Sequence, residues 1–242
     1  CTTEEKMVRE PMPEYAEFAE LPITAIKPEG WLKTYLEKQK EGLTGNLEKV
    51  GYPFNTIGWA GDSIPENQGV EEWWPYEQVA YWLDGMIRLG YLLDDQELIN
   101  RARKSFDYVL NHADKDGYLG PKAAKANLEG DRWVHAVFFR ALLAYYSGSG
   151  KEEIIDAMTR HFLNDTLSNF ATRVSINGES VMKLYGITGD PALLELGKKM
   201  YHSPNEIAPD AMTSDKNFMK DVMLNAHGVT YNERAKMGAI MS

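Results

Sequence analysis

The chain has 242 residues, 43% hydrophobic and 26% charged, the balance of a soluble globular protein long enough to bury a sizeable core. A formal net charge of −10 and the lack of any basic run argue against an electrostatic grip on nucleic acid or anionic lipid. The longest apolar stretches, such as Ala136–Tyr146, fall short of the roughly 20 residues of a membrane-spanning helix, and a single cysteine, Cys1, excludes an internal disulfide or a cysteine metal cluster.

Cys1 is followed by Thr2, Thr3, Glu4 and Glu5, a start similar to that of mature bacterial lipoproteins, whose first cysteine carries lipid. On that reading Cys1 is a lipidation site and the protein is extracytoplasmic, in the periplasm or on the outer-membrane surface. A bare boundary of the chain is the other reading. Residues 1–30 hold Pro11, Pro13, Pro22 and Pro28 and read as an extended leader, possible lipoprotein linker, ahead of a catalytic domain over 31–242. Trp31, Leu32, Tyr35 and Leu36 have helical spacing, so a first helix is expected to stop near Gly42. Residues 43–72 are rich in Gly, Pro, Asn and Asp and read as one long loop. Its Tyr52, Phe54 and Trp59 argue that it packs over one end of a helical barrel.

From Tyr76 the pattern becomes helical hairpins. Val79–Leu89 pairs with Leu98–Val109, Ala136–Tyr146 with Ile154–Leu163, and Val181–Tyr185 with Leu193–Tyr201. The joins within pairs are short and polar, as at Asp94-Asp95. At Gly189-Asp190-Pro191 the residues suit a C-cap, an N-cap and a first turn in succession. The links between pairs, 114–133 and 202–225, are long and aromatic. An open solenoid would have short links on both faces, so the asymmetry favours an all-α fold, part of an (α/α)6 toroid with a long aromatic loop before the second helix. Val174-Ser175-Ile176 is the one candidate for a short extended piece.

Three clusters carry candidate chemistry. In the first, Glu71, Glu72, Trp73, Trp74, Pro75, Tyr76, Glu77 and Gln78 stand at a helix entrance. Stiff indoles suit the apolar faces of sugars while carboxylates and amides bind hydroxyls, although the same residues could cap the helix and staple the loop to the core. In the second, Asn225-Ala226-His227-Gly228 leads into a helix that carries Tyr231, Asn232 and Glu233. In the third, Asp131 reads as an N-cap and Trp133 as core or site, followed by His135. His112, His161 and His202 read as structural. The candidate substrate-binding residues are thus Trp73, Trp74, Tyr76, Glu77, Gln78, Trp133, Asn225, His227, Asn232 and Glu233. Glycoside hydrolysis needs two carboxyl groups across the scissile bond; Glu71, Glu72, Glu77, Asp131 and Glu233 are available, but nothing in the sequence pairs them. No clustered His, Cys and carboxylate spacing suggests zinc, and phosphate loops and nucleophile elbows are absent.

In the order and spacing of several short pieces, residues 21–242 resemble the β-L-arabinofuranosidases of glycoside hydrolase family 127. The pieces are Leu21-Pro22-Ile23, Ile26–Leu32, Gly42–Gly45, Trp74–Leu83, Asp116–Pro121, Leu184–Asp190 and Ala226–Val229. The resemblance implies an (α/α)6 barrel, followed by β-sandwich domains, that removes terminal L-arabinofuranose or a related sugar from plant or host glycans. It implies that Trp74–Glu77 and His227 line the sugar pocket. A further pocket histidine of the family would fall at Val137. It also implies a cysteine nucleophile in a zinc site and a glutamate acid/base, which would lie after Ser242, so no catalytic residue and no cofactor are expected in this chain. Too few hairpins are present for six, and the expectation is an N-terminal portion with little or no activity alone. The competing expectations are another (α/α)6 enzyme, such as an unsaturated-uronyl hydrolase or sugar epimerase acting through Asp131 and His227, and a lipid-anchored glycan- or peptide-binding protein without catalysis.

Overall fold

The computed structural model describes residues 20–56, 59, 74–121, 125, 132–165, 170–218, 220–221, 223 and 225–242. Cys1, Glu71, Glu72, Trp73 and Asp131 lie outside the described residues. Among those described, every regular element is helical.

The helices are α1 Gly30–Glu41, α2 Leu43–Asn46, α3 Trp74–Leu93, α4 Gln96–Asn111, α5 Trp133–Ser149, α6 Glu152–Asn164, α7 Thr172–Ser175, α8 Gly178–Thr188, α9 Pro191–Ile207, α10 Asp215–Phe218 and α11 Gly228–Met241. α3 with α4, α5 with α6, and α8 with α9 form antiparallel hairpins across the short joins. Asp95 caps α4 by accepting from Glu97 N–H (3.0 Å) and Leu98 N–H (3.1 Å). Asp190 caps α9 by accepting from Ala192 N–H at 2.9 Å, with Pro191 in the first turn. Gly189 ends α8 at φ +69°, a left-handed conformation that a Cβ would strain.

Two layers follow from which faces are apolar. α4, α6 and α9 each bury a single stripe, such as Leu98, Ala102, Phe106 and Val109 of α4, and turn a charged face to solvent. α5 instead buries nearly every residue from Trp133 to Ser147, because α3, α6 and α8 cover it on several sides. α3, α5, α8 and α11 therefore form an inner layer and α4, α6 and α9 an outer one, the arrangement of a toroid. No described helix is long and apolar enough to cross a membrane.

Three local expectations need correction. The stretch expected to be structureless from residue 43 begins with α2 and a 3-10 turn, Leu47–Val50. Asn46 Nδ2 donates to the carbonyls of Glu41 and Gly42 at 2.9 Å, and Arg101 reaches Gly45 O at 2.8 Å, so the chain after α1 is held in a further turn. Val174 and Ile176 do not form an extended piece. They are buried in and after α7, where Asn177 N–H and Nδ2 both donate to Val174 O at 3.1 Å, so packing overrides their β-branched preference. The residue flanking α5 is Arg132, whose guanidinium pairs with Asp165 (Nε to Oδ2, 3.2 Å) and makes no side-chain cap. The loop aromatic Trp59 enters the core itself. It is 0% exposed and stacks on Phe138 at 3.7 Å with its edge toward His135.

Candidate functional site

Glu77 meets Trp133 at the starts of α3 and α5 and Tyr91 meets Tyr145 toward their ends, while Asn177 before α8 donates to Arg132 O before α5, so α3, α5 and α8 run in the same direction. The long connections all lead into the N-terminal ends of inner helices. These ends form a mouth, and the inner faces below it form a lumen.

On α3, Trp74, Glu77, Gln78 and Tyr81 follow the i, i+3, i+4, i+7 spacing of one helix face. Trp74 is half-buried and meets the ring of Tyr52 edge-on at 5.8 Å. Tyr76 points the other way and is buried. The Glu77 carboxylate accepts the indole N–H of Trp133, the first residue of α5, at 2.5 Å. The guanidinium of Arg173 lies over the buried Trp133 ring at 5.2 Å. Gln78 is exposed.

Two turns below Trp133, Arg140 is the hub of a charged cluster that joins three helices. Its Nε donates to Glu179 of α8 at 2.9 Å, and its other nitrogens bind Glu233 of α11, one at 3.3 Å and one closer. Lys236 donates to Glu179 at 2.8 Å and pairs with Glu233 at 2.5 Å. Burial would raise the Glu179 carboxyl, but the Lys236 hydrogen bond and the Arg140 charge outweigh it and hold the group below its ordinary value of 4.5. Tyr81 is 43% exposed, and its hydroxyl pKa is raised by burial and then by the charge of Glu77. Glu233 adds to that rise while Arg140 and Arg173 oppose it. Past Arg140 the lumen opens into a cavity of about 330 Å³ lined by Arg88, Arg140, Glu179 and Lys183. The N-terminal segment borders its far side, with Lys183 on Glu20 (2.6 Å) and Ile23 N–H on Ser147 Oγ (3.0 Å).

Of the residues singled out in the sequence, Glu77, Trp133 and Glu233 are thus drawn into one wall, with Trp74 at its rim. His227 is exposed at the start of α11, where its Nδ1 accepts from Thr230 N–H at 3.4 Å. Asn225 and Asn232 are exposed. Val137 is buried in the core. Tyr81, Arg140, Glu179 and Lys236 were not foreseen. Arg140 had a visible signal, since it is the one Lys, Arg, Asp or Glu in α5, and a lone cation in so apolar a helix needs a partner.

Such a surface can hold a polyhydroxylated ring. Aromatic faces take its C–H side, carboxylates accept from hydroxyls, and the tyrosine, arginine and lysine donate. The residues in hand do not fit the zinc centre implied by the resemblance. Cys1 lies outside the described residues, and among those described no three His, Cys, Asp or Glu side chains are grouped to hold a metal ion.

Two comparisons bear on identity. No curated protein matches this chain. The family model described as β-L-arabinofuranosidase, GH127 catalytic domain, matches residues 74–229, well over half of the chain, from Trp74 to the start of α11. With the three helical hairpins inside the matched span, the chain belongs to the β-L-arabinofuranosidase family of GH127 glycoside hydrolase catalytic domains.

Proposed function

We propose that the lumen wall recognises the terminal sugar of a glycan bearing L-arabinofuranose or a closely related neutral sugar. In this reading the chain supplies part of the pocket of a glycoside hydrolase. The observation that carries it is the hydrogen-bonded wall formed by Glu77 with Trp133 and by Arg140 with Glu179 and Glu233, beside the α3 face that carries Trp74 and Tyr81.

The charge count of the wall supports a neutral sugar. Glu77, Glu179 and Glu233 are matched by Arg140, Arg173 and Lys236. A site built for a uronate would carry an excess of cations to meet the sugar's carboxylate, so the balance counts against an unsaturated-uronyl hydrolase. The ion pairs also fix the donors and acceptors before the ligand arrives, which lowers the cost of ordering them on binding.

Calorimetric titration with methyl β-L-arabinofuranoside and with glucuronate tests the reading. Binding of the arabinoside is expected to outrank the uronate, and Trp74→Ala to weaken it about tenfold, or ~1.4 kcal/mol. Stronger binding of the uronate, or an affinity that Trp74→Ala and Glu77→Gln both leave unchanged, overturns it. Hydrolysis of an aryl β-L-arabinofuranoside, compared between the native protein and Glu77→Gln, then asks whether this carboxylate serves turnover as well as binding.

A further inference from the structure

The cavity of about 330 Å³ past Arg140 has two kinds of wall. One is helical and fixed. α5 turns Arg140, Leu143, Ala144 and Ser147 to it at the i, i+3, i+4, i+7 spacing of one helix face, and α8 turns Glu179 and Lys183 to it at i, i+4. The other wall is the segment ahead of α1, which contributes Glu20, Leu21 and Ile23.

Residues 20–27 run as a strap across three inner helices. The Glu20 carboxylate accepts from Lys183 Nζ of α8 at 2.6 Å, and Ile23 N–H donates to Ser147 Oγ in the last turn of α5 at 3.0 Å. Lys27 Nζ then donates to Tyr91 O in the last turn of α3 at 3.4 Å. Ala25 N–H closes a turn on Pro22 O at 2.8 Å, with Ile23 inside it. The anchors on α5 and α3 lie at the end opposite the mouth, so the strap forms a floor to the lumen. It is held lightly. Among residues 20–27 only Pro22 is buried, Leu21 and Ile26 are 61% and 64% exposed, and the Glu20 side chain is 67% exposed. An ion pair so open to water adds little stability, and a segment with so few buried contacts opens more readily than the helices beneath it.

We infer that residues 20–27 are a detachable floor of the sugar pocket, which closes on an occupant of the cavity past Arg140 and loosens when the cavity is empty. The inference rests on the reading of the lumen as a sugar site. An occupant of this cavity touches both walls, the fixed one at Arg140 and Glu179 and the strap at Glu20 and Ile23. Its contacts with the strap exist only in the closed arrangement, and such a difference is what lets a ligand shift an equilibrium between two states. The two walls also complement each other chemically. Glu20 and Lys183 offer an acceptor and a donor to hydroxyls, while Leu21 and Ile23 offer apolar surface to C–H groups. Coupling between sites is reciprocal, so a change that loosens the strap must also weaken sugar binding.

Amide hydrogen exchange at Ile23, followed in the full chain by NMR, reads the strap directly, because this N–H is bonded to Ser147 Oγ. Saturating methyl β-L-arabinofuranoside is expected to slow Ile23 exchange about tenfold, a usual size for coupling between two sites. Lys183→Glu sets two carboxylates against each other at the first anchor. It should speed Ile23 exchange and weaken sugar binding, again about tenfold. Adding Glu20→Lys to Lys183→Glu restores the pair with its charges reversed and should recover both. Ser147→Ala removes the second anchor without a change of charge and should loosen the strap and lower affinity should Lys183→Glu fail to fold. Sugar that binds while Ile23 exchange stays unchanged overturns the inference and leaves the lumen reading standing. An affinity loss in Lys183→Glu that the double reversal does not recover also overturns it, since Lys183 would then act on the sugar alone. Absence of any sugar binding in the native protein overturns the lumen reading, and the strap's role with it.

Discussion

The space between the helical layers and the lumen solve the burial of polar groups in opposite ways. Between the layers, His135 and His161 are fully buried and kept neutral, each tied to the backbone of Leu119. In the lumen, Arg140, Glu179, Glu233 and Lys236 keep their charges by compensating one another while partly exposed. Buried ionisable groups without a charged partner are kept neutral, whereas groups with partners can stay charged. Packing between the layers therefore holds the fold, whereas the partly exposed lumen ion pairs contribute little to stability and, in the proposed reading, serve recognition.

The largest test removes the ring that joins the loop to the interlayer core. Trp59→Ala leaves a void against Phe138 and His135 and is expected to cost about 3–5 kcal/mol. Urea unfolding should show a lower midpoint with an unchanged slope. A loss under about 1 kcal/mol would move Trp59 out of the set of residues that hold the layers together.

The two regions should also respond to acid in different windows. A histidine held down in the folded state gives full stability above its unfolded value of 6.5. It loses stability as the pH falls, because only the unfolded chain takes up the proton until about pH 3 for His161. The slope approaches about 1.4 kcal/mol per pH unit for each of the two rings. Glu179 is depressed below 4.5, so its contribution is complete above that value and is lost only as the pH falls further. Stability should therefore decline from about pH 6.5, well before the lumen carboxylate titrates. His161→Gln should roughly halve the slope of that first limb, leaving the share of His135, whereas Glu179→Gln should change only the limb below 4.5. A single transition confined to the lower window would erase the contrast between the regions.

The sequence made the layers legible because periodicity and capping are local. Asp190, Pro191 and Gly189 announce the turn into α9 without reference to any other element. Val174–Ile176 misled for the same reason: three residues with two β-branched side chains suggest extension, and only packing against the rest of the fold curls them into α7. The site was half legible. Glu77, Trp133 and Glu233 stand out in polar or aromatic clusters near helix starts, but the grouping of Tyr81, Arg140, Glu179 and Lys236 spans four helices and 156 positions of sequence. Nothing local links them. The buried histidine pair was still less visible, since His161 reads from its spacing as an ordinary core histidine, and its relation to His135 exists only once Leu119 lies between them.

The smallest expected effect bears most directly on what the lumen charges are for. Lys236 is about one-third exposed and pairs with Glu179 and Glu233, both also held by Arg140. Lys236→Met keeps the length of the stem and removes the charge. Water and Arg140 remain to solvate the two carboxylates, so the loss of stability should stay near 0.5 kcal/mol and shrink in high salt. Sugar affinity should fall by a larger factor, because a donor fixed in the wall disappears and the balance of charge shifts to the acidic side. If thermal unfolding and titration of methyl β-L-arabinofuranoside show the reverse, a large fall in stability with unchanged affinity, the cluster is a clamp between α8 and α11. The lumen would then be built on the same terms as the space between the layers.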